Sequence, residues 1–556
     1  MKDDRAAAPA PRAGSPWPAR LWWVGALLVA LNLGSALGHD FVWDDLHNLP
    51  GNRIYRGPVL DAVRATELDY IAPEERARHD RVSAHDSYRP VMHLSYRLGI
   101  AVSGMEPAGL RAQNYLMGLL TAWLVYLIAC RLGRRELESR YAALLLAAHP
   151  LSVETLVYLS ARADLMSTMF GLLSVLLVLE CGERQAASRG LRASAPLLAG
   201  VALAYAASLL SKEGLLALPL ATALWLWALG RLRAGLPGIV TQLACLGLYL
   251  PFRLAMAGGN GASQLPEAIA ALPGLWLEEL RRVLLPTDLN IAQPPDSSLG
   301  WVGWVALAGW VGSFVLTTTR LWQQPQADTR GARGARIVIA GTGFGALCLG
   351  PSAVVVLIMG VRGDRYSFPL VAGACITLVV LLSELWRMRA RLRGLLAAAI
   401  AGWAALLLFF QAVQAASWHD HEALYRHAVT VAPDSPRANY GLAYVLAKQG
   451  RWALAHPLFE RARELSPGDV RTLNNLGLTY LRLGQPELAE ASLRQALTHS
   501  AGGHAPAHFN LALVMLQRGR RAEACQAAAD TLALRPDHKR ATALRARLCE
   551  GAAEAP

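Results

Sequence analysis

Charge is scarce in this chain, and so are the residues that build metal centres. Of 556 residues only 17% are Asp, Glu, Lys or Arg, well under the roughly 25% usual in soluble domains. The length would hold three or four soluble domains, but long apolar runs leave too little polar sequence to cover them. Cysteine is also rare, with seven in all. None forms a CxxC pair or a Cys/His spacing suited to zinc or haem. Cys130, Cys181, Cys245, Cys348 and Cys375 lie in or beside apolar runs, where cysteine packs as a small hydrophobe. Cys525 and Cys549 stand apart near the end of the chain, and the sequence leaves their pairing open. Lysine is nearly missing: 50 of the 54 basic residues are arginine, in a chain of net charge +13. A basic balance can suit nucleic acid. Here, however, the arginines gather in short connections between apolar runs, the pattern that orients a membrane protein. No nucleic-acid partner is expected.

What is abundant is apolar sequence, 54% of the chain, with a mean hydropathy of +0.28. Spans are expected near 21–37, 112–130, 141–159, 165–181, 195–211, 214–230, 237–256, 301–319, 337–359, 367–385 and 395–416. Each is long enough, or nearly so, to cross a hydrocarbon core of roughly 30 Å as a helix. His149-Pro150 interrupts the third run, which predicts a break lining a cavity. The polar stretch 1–20 reads as a cytoplasmic tail. No small-residue cleavage site follows the first run, so an uncleaved span is expected there rather than a signal peptide. Arginines cluster at Arg131, Arg134, Arg135 and Arg140, at Arg231 and Arg233, at Arg320, Arg330, Arg333 and Arg336, and at Arg387, Arg389, Arg391 and Arg393. Counting about eleven spans puts all four clusters on the side of the N-terminus, which the positive-inside rule makes cytoplasmic. The first outer loop (38–111) and the tail (417–556) then lie outside together.

The tail repeats with a period near 34. Gly450, Gly484 and Gly519 recur as turn glycines, and Pro433, Pro467 and Pro536 close successive units. Packing positions recur as Leu442, Ala443, Ala455, Phe459 and Ala462, then as Leu476, Gly477, Tyr480, Ala489 and Ala496. A weaker third set is Leu511, Ala512, Met515 and Ala524. This is the helix–turn–helix pattern of tetratricopeptide repeats, whose small residues let paired helices approach closely. HSAGGHAP (499–506) is an insertion between the second and third units, and 418–433 reads as a further half-unit. The expected architecture is all-α: a polytopic membrane helix bundle (21–416) followed by an α-solenoid (417–556).

The residues that stand out chemically are Asp44 and Asp45, in GHDFVWDDLHN (38–48) just past the first apolar run. A carboxylate within hydrogen-bond reach can deprotonate an incoming hydroxyl. Adjacent side chains diverge, so one base is expected, its neighbour orienting the acceptor. His39, His47, His79, His85 and His93 share this loop, but their spacing is irregular and no HExxH occurs; no metal is expected. Further on, the segment from Ser263 to Asn290 mixes apolar residues with Glu278, Glu279, Arg281 and Arg282. It reads as an amphipathic helix at the interface or against the bundle.

The strings FVWDD (41–45), SYRP (87–90), HPLSVETLVYLSARADL (149–165), SKEG (211–214) and DRYSFP (364–369), together with the terminal repeats, carry a resemblance. The chain resembles the transmembrane and tetratricopeptide-repeat O-mannosyltransferases, of the GT-C class of polyprenyl-phosphate-sugar-dependent glycosyltransferases. It departs from the animal members in having few repeats and a short connection between the seventh and eighth runs. The resemblance implies transfer of a monosaccharide, mannose among the choices, from a lipid-linked donor to a hydroxyl outside the cytoplasm, with a protein acceptor docked on the repeats and no cofactor. It implies an inner-membrane protein with periplasmic repeats in a bacterium, or an ER membrane protein with lumenal repeats in a eukaryote. Asp44 and Asp45 are then the catalytic candidates. Arg365, with Tyr366, is the first choice to bind the donor phosphate, followed by Lys212 and Arg89. His149, Glu154, Arg162 and Asp164 are candidates to line the substrate cavity. Arg162-Asp164 and Lys212-Glu213 are equally readable as structural ion pairs. Two other functions stay open: an oligosaccharide ligase with a diphosphate donor, and a membrane scaffold without activity.

Overall fold

The computed structural model describes residues 18–50, 55, 57–64, 88–187, 190–256, 265–289, 291, 300–323, 330–359 and 363–550. Among the described residues every regular element is a helix. They form two compact units, the first closing at Asp420 and the second opening at His421.

In the first unit the longer helices are α1 (Ala19–Ser35), α2 (Pro90–Ser103), α3 (Pro107–Arg131), α4 (Glu136–Ala148), α5 (Arg162–Ala186), α6 (Gly190–Ser211) and α7 (Leu218–Ala228). They continue with α8 (Leu232–Met256), α9 (Leu265–Leu284), α10 (Gly300–Gln323), α11 (Arg330–Met359), α12 (Phe368–Met388) and α13 (Arg393–Ser417). Eight candidate spans among the described residues, on α3, α5, α6, α8 and α10 to α13, are long and apolar enough to cross a bilayer. Their outer faces carry bare apolar side chains such as Leu119, Leu203, Leu248 and Trp301. Water would leave such surface unfavourable, whereas lipid does not.

The expected count of about eleven is not confirmed among the described residues, where two further apolar helices are shorter. α7 has 11 residues and reaches about 16 Å at 1.5 Å per residue, and α1 is also short. The run 141–159 is not one helix. α4 stops at Ala148, single turns follow at Pro150–Ser152 and Val153–Val157, and another turn at Leu159–Ala161 leads into α5. Pro150 lacks an amide hydrogen and cannot continue the ladder. The stretch read as the first outer loop (38–111) contains α2, which packs Met92 and Tyr96 against Leu49, Tyr55 and Leu110.

One end of this unit collects the basic connections. Arg131 (3.1 Å) and Arg231 (2.7 Å) share Glu183, and Arg134 (3.5 Å) and Arg387 (2.7 Å) share Glu384. α9 is amphipathic in the opposite sense from a helix facing water. Glu278, Glu279 and Arg282 are buried while Leu265, Ile269 and Leu284 are exposed. Ionisable groups turned into a bundle and apolar ones turned out suit a lipid surround.

The second unit is a stack of helical hairpins: α14 (His421–Val431), α15 (Pro436–Lys448), α16 (Trp452–Leu465), α17 (Val470–Arg482), α18 (Pro486–His499), α19 (Ala505–Gln517), α20 (Arg521–Leu534) and α21 (Lys539–Arg545). The turn glycines have the left-handed backbone their spacing implied: φ is 78° at Gly450, 77° at Gly484 and 75° at Gly519. There a side chain would collide with the backbone. The packing alanines Ala443, Ala455, Ala462, Ala489, Ala496, Ala512 and Ala524 are all buried. Gly477 lies so close to α18 that an added Cβ would stand 2.6 Å from Leu493. Cys525 and Cys549 form a disulfide, closing the pairing the sequence left open and tying the end of the chain to α20.

Candidate active site

After α1 the chain turns sharply at Val42–Asp45 and presents the two carboxylates very differently. Asp45 is 1% exposed. Its Oδ1 accepts hydrogen bonds from the Ser160 amide (2.7 Å) and hydroxyl (2.6 Å), and its Oδ2 from the Val42 amide (3.4 Å). Burial pushes its pKa up to about 6, against the opposing pull of the Ser160 donors. Asp44 is half-buried, and its Oδ2 accepts from the Tyr158 hydroxyl at 3.0 Å. The geometry therefore separates the pair: one carboxylate is buried and consumed in holding the turn, and the other is half-buried with one hydroxyl donor on it.

The turn is held from behind by Arg111 on α3, 1% exposed. Its guanidinium donates to the carbonyls of Val157 (3.0 Å), Leu37 (2.9 Å), His39 (2.8 Å) and Asp40 (3.1 Å). Four carbonyls aimed at one planar cation make use of the five fixed donors of arginine. The reading of the sequence missed Arg111. Its signal was an arginine at the mouth of an apolar run, which is costly unless it is paired. Tyr158 and Ser160 were missed because they fell in or next to what read as a span.

Beside Asp44 lies a cluster of rings and charges. Trp43 stacks on Tyr158 (centroids 5.7 Å apart) and Tyr158 on Trp418 (4.9 Å). The Arg365 guanidinium carbon stands 5.5 Å from the Trp43 ring, 5.6 Å from Tyr158 and 4.7 Å from Tyr366. Arg365 also pairs with the buried Glu154 through its guanidinium, and its amide donates to Glu154 at 3.2 Å. Lys212 binds both oxygens of Asp164 (2.6 and 2.7 Å), with its ammonium 4.4 Å from the Tyr366 ring. Arg365 and Asp164 lie 3.9 Å apart. Asp44, Tyr158, Glu154, Asp164, Lys212, Arg365 and Tyr366 thus belong to one constellation.

Arg89 joins a neighbouring group. It and Arg253 reach the same Glu213 oxygen, at 3.5 and 3.6 Å. Burial would raise the pKa of Glu213, but Arg89, Arg253 and Lys212 hold it down to about 2. Arg253, at the end of α8, was not among the sequence candidates.

Three expectations are corrected. Arg162 does not pair with Asp164. It is buried and donates to Asn114 (2.7 Å) and the Leu110 carbonyl (2.8 Å), with its guanidinium 4.4 Å from Tyr96. Lys212 takes Asp164 in preference to its neighbour Glu213. His149 is fully buried with both ring nitrogens engaged: its Nδ1 accepts from the Leu151 amide (3.2 Å), capping the turn after the break, and its Nε2 bonds the Val283 carbonyl (2.9 Å) on α9. The first two share a cause, since sequence neighbours on helix ends point apart and meet groups from other elements. His79 and His85 lie outside the described residues, as does the side chain of His47, while His93 bonds Tyr55 at 3.1 Å.

Tetratricopeptide-repeat family models match residues 434–500 and 474–539. A protein O-mannosyl-transferase of Caenorhabditis elegans is 22% identical over 474 residues, covering 79% of this chain and 63% of that protein. The Drosophila melanogaster protein O-mannosyl-transferase Tmtc1 is 37% identical over 93 residues, 17% of this chain and 11% of the relative. The chain therefore spans less than two thirds of these relatives' own length. The archaeal oligosaccharyltransferase AglB from Archaeoglobus fulgidus covers 72% of this chain, and 56% of its own is covered, at 14% identity and a TM-score of 0.37. The chain is similar in sequence to the protein O-mannosyl-transferases of animals, and it ends in a tetratricopeptide-repeat array.

Proposed function

We propose that this protein is an inverting membrane glycosyltransferase. It moves a monosaccharide, mannose being the first to test, from a polyprenyl phosphate to a hydroxyl, chiefly Ser or Thr of a protein. The observation that carries this reading is that the half-buried carboxylate of Asp44 and the ring-flanked guanidinium of Arg365 meet the same side chain, Tyr158, whose hydroxyl donates to Asp44 at 3.0 Å and whose ring lies 5.6 Å from the guanidinium carbon. The acceptor hydroxyl gives its proton to Asp44, and its oxygen bonds the anomeric carbon. The bond from that carbon to the phosphate oxygen breaks, and its electron pair leaves with the lipid phosphate. Arg365 meets that charge with N–H groups that Glu154 leaves unused, and Lys212 adds a second cation. Asp45 acts as a positioning residue for the turn.

Three further elements of the reading have separate support. The mannose and the protein acceptor follow the similarity to proteins named protein O-mannosyl-transferases, and a lipid-linked donor suits a site built on apolar helices long enough to cross a bilayer. The repeat array supplies a surface for a protein acceptor. The repeats lie on the non-cytoplasmic side, in the periplasm of a bacterium or the ER lumen of a eukaryote. The Cys525–Cys549 disulfide favours such an oxidising compartment.

A scaffold without activity is the second reading, favoured by the tetratricopeptide match over residues 434–539. Mass spectrometry of outer-compartment glycoproteins separates the two. It compares cells with wild type, a deletion, and Asp44→Asn at matched membrane levels. Loss of a hexose on Ser or Thr in both altered strains is expected. An Asp44→Asn strain that keeps every glycan lost in the deletion refutes Asp44 as base and supports the scaffold.

A further inference from the structure

Trp43 adjoins both groups the proposed reaction needs, Asp44 in the chain and Arg365 in space, and its backbone is held where a bulky side chain does not belong. Its φ is 56°, in the left-handed region that residues other than Gly, Asn and Asp seldom enter. The surrounding structure imposes this conformation from both sides. Ahead of it, Arg111 binds the carbonyls of Leu37, His39 and Asp40. Behind it, Asp45 is bound to Ser160, and the Asp45 amide donates to the Val42 carbonyl at 3.1 Å, closing the turn around Trp43. Strain held this firmly points to a task for the side chain.

The ring completes a stack. Trp418 and Tyr158 beneath it are 1% and 2% exposed, whereas Trp43 is half-buried. Asp44 follows it in the chain, and the Arg365 guanidinium carbon is 5.5 Å from its centroid.

We infer that Trp43 is the platform for the donor's sugar ring, an inference that rests on the donor reading above. A sugar about to be transferred is joined to its phosphate at the anomeric carbon, and the acceptor hydroxyl approaches that same carbon from the side of the base. With the phosphate on Arg365 and the base at Asp44, the sugar ring lies between them, beside the indole. Hexoses present C–H bonds of partial positive charge on one face, and an indole face carries negative potential. Packing the two together stops the sugar turning about its bond to the phosphate and fixes the line of attack.

The test uses the full-length protein in lipid nanodiscs, as wild type, Trp43→Phe and Trp43→Gly. Binding is measured for two probes, polyprenyl-phosphate mannose and the same lipid phosphate without sugar. Glycine adopts φ 56° freely, so Trp43→Gly removes the ring without adding strain. The expected result is a loss of about tenfold in affinity of Trp43→Gly for the sugar-bearing lipid. Affinity for the sugar-free lipid should stay unchanged, and Trp43→Phe should fall between. Equal losses for both lipids would assign the ring to the phosphate or the fold and overturn the inference. No loss for either, with wild type binding both, would overturn it and leave the donor reading standing. A wild type that binds neither lipid overturns the donor reading, and this inference with it.

Discussion

Asp45→Asn should make the stability of the protein less sensitive to pH. The side chain is 1% exposed, and burial raises its pKa from 3.8 to about 6. The folded state thus holds the Asp45 proton more tightly than the unfolded chain does. Its contribution to stability is complete below pH 3.8, declines as pH rises, and is lost once pH passes about 6. The shift corresponds to about 3 kcal/mol at 1.36 kcal/mol per pKa unit. Asparagine keeps an Oδ1 acceptor for Ser160 and carries no charge to desolvate, so it does not incur this pH-dependent loss, although its NH2 group cannot accept from the Val42 amide as Oδ2 does at 3.4 Å. Thermal unfolding of both proteins between pH 4 and pH 7 measures it. Other carboxylates, including Glu213 with its lowered pKa, titrate in both and cancel in the difference. The wild type should lose about 2 kcal/mol relative to the variant over that range, a change of a few degrees in Tm. Asp45→Ala provides the control. It leaves the Ser160 amide and hydroxyl without an acceptor and should cost about 1–3 kcal/mol at every pH. A wild-type-to-Asn difference that does not change with pH would refute the burial argument. A loss of transfer in Asp45→Asn as deep as in Asp44→Asn, at unchanged stability, would reverse the roles given to the two carboxylates.

Three other variants test separate parts of the structure. Arg111→Met removes the donor shared by four backbone carbonyls. It should destabilise the first unit by about 3 kcal/mol, speed proteolysis between 38 and 45, and lower transfer although Asp44 is untouched. Gly484→Ala forces a side chain into φ 77° and should lower the stability of the repeat array by about 1–2 kcal/mol, read from its unfolding transition in the full chain. Cys525→Ser opens the disulfide to Cys549 and should cost about 3 kcal/mol. Alkylation under non-reducing conditions, read by mass spectrometry, should leave both cysteines unlabelled in the wild type and label Cys549 in the variant.

The repeat unit was legible from sequence because its rules are local. A glycine every 34 or 35 residues and alanines at fixed offsets follow from one hairpin packing on the next, so period alone located the turns at Gly450, Gly484 and Gly519. Hydropathy likewise located the apolar helices, since in lipid each backbone segment must satisfy its own hydrogen bonds. The motif FVWDD (41–45) marked the candidate site for a similar reason: paired acids beside an apolar run need a cause. The sequence could not say which acid is buried, because that depends on Ser160, 115 positions away. Nor could it pair Lys212 with Asp164, place Arg111 behind the turn, or show that the charged residues of α9 face inward. Those outcomes depend on burial and on the reach of donors from distant elements, which exist only once helices have packed. Composition, periodicity and adjacency determined the fold class of this protein and where its candidate site begins. Tertiary packing decided which of its charges are held and which remain open, because desolvation is a property of the folded surroundings and not of a residue type.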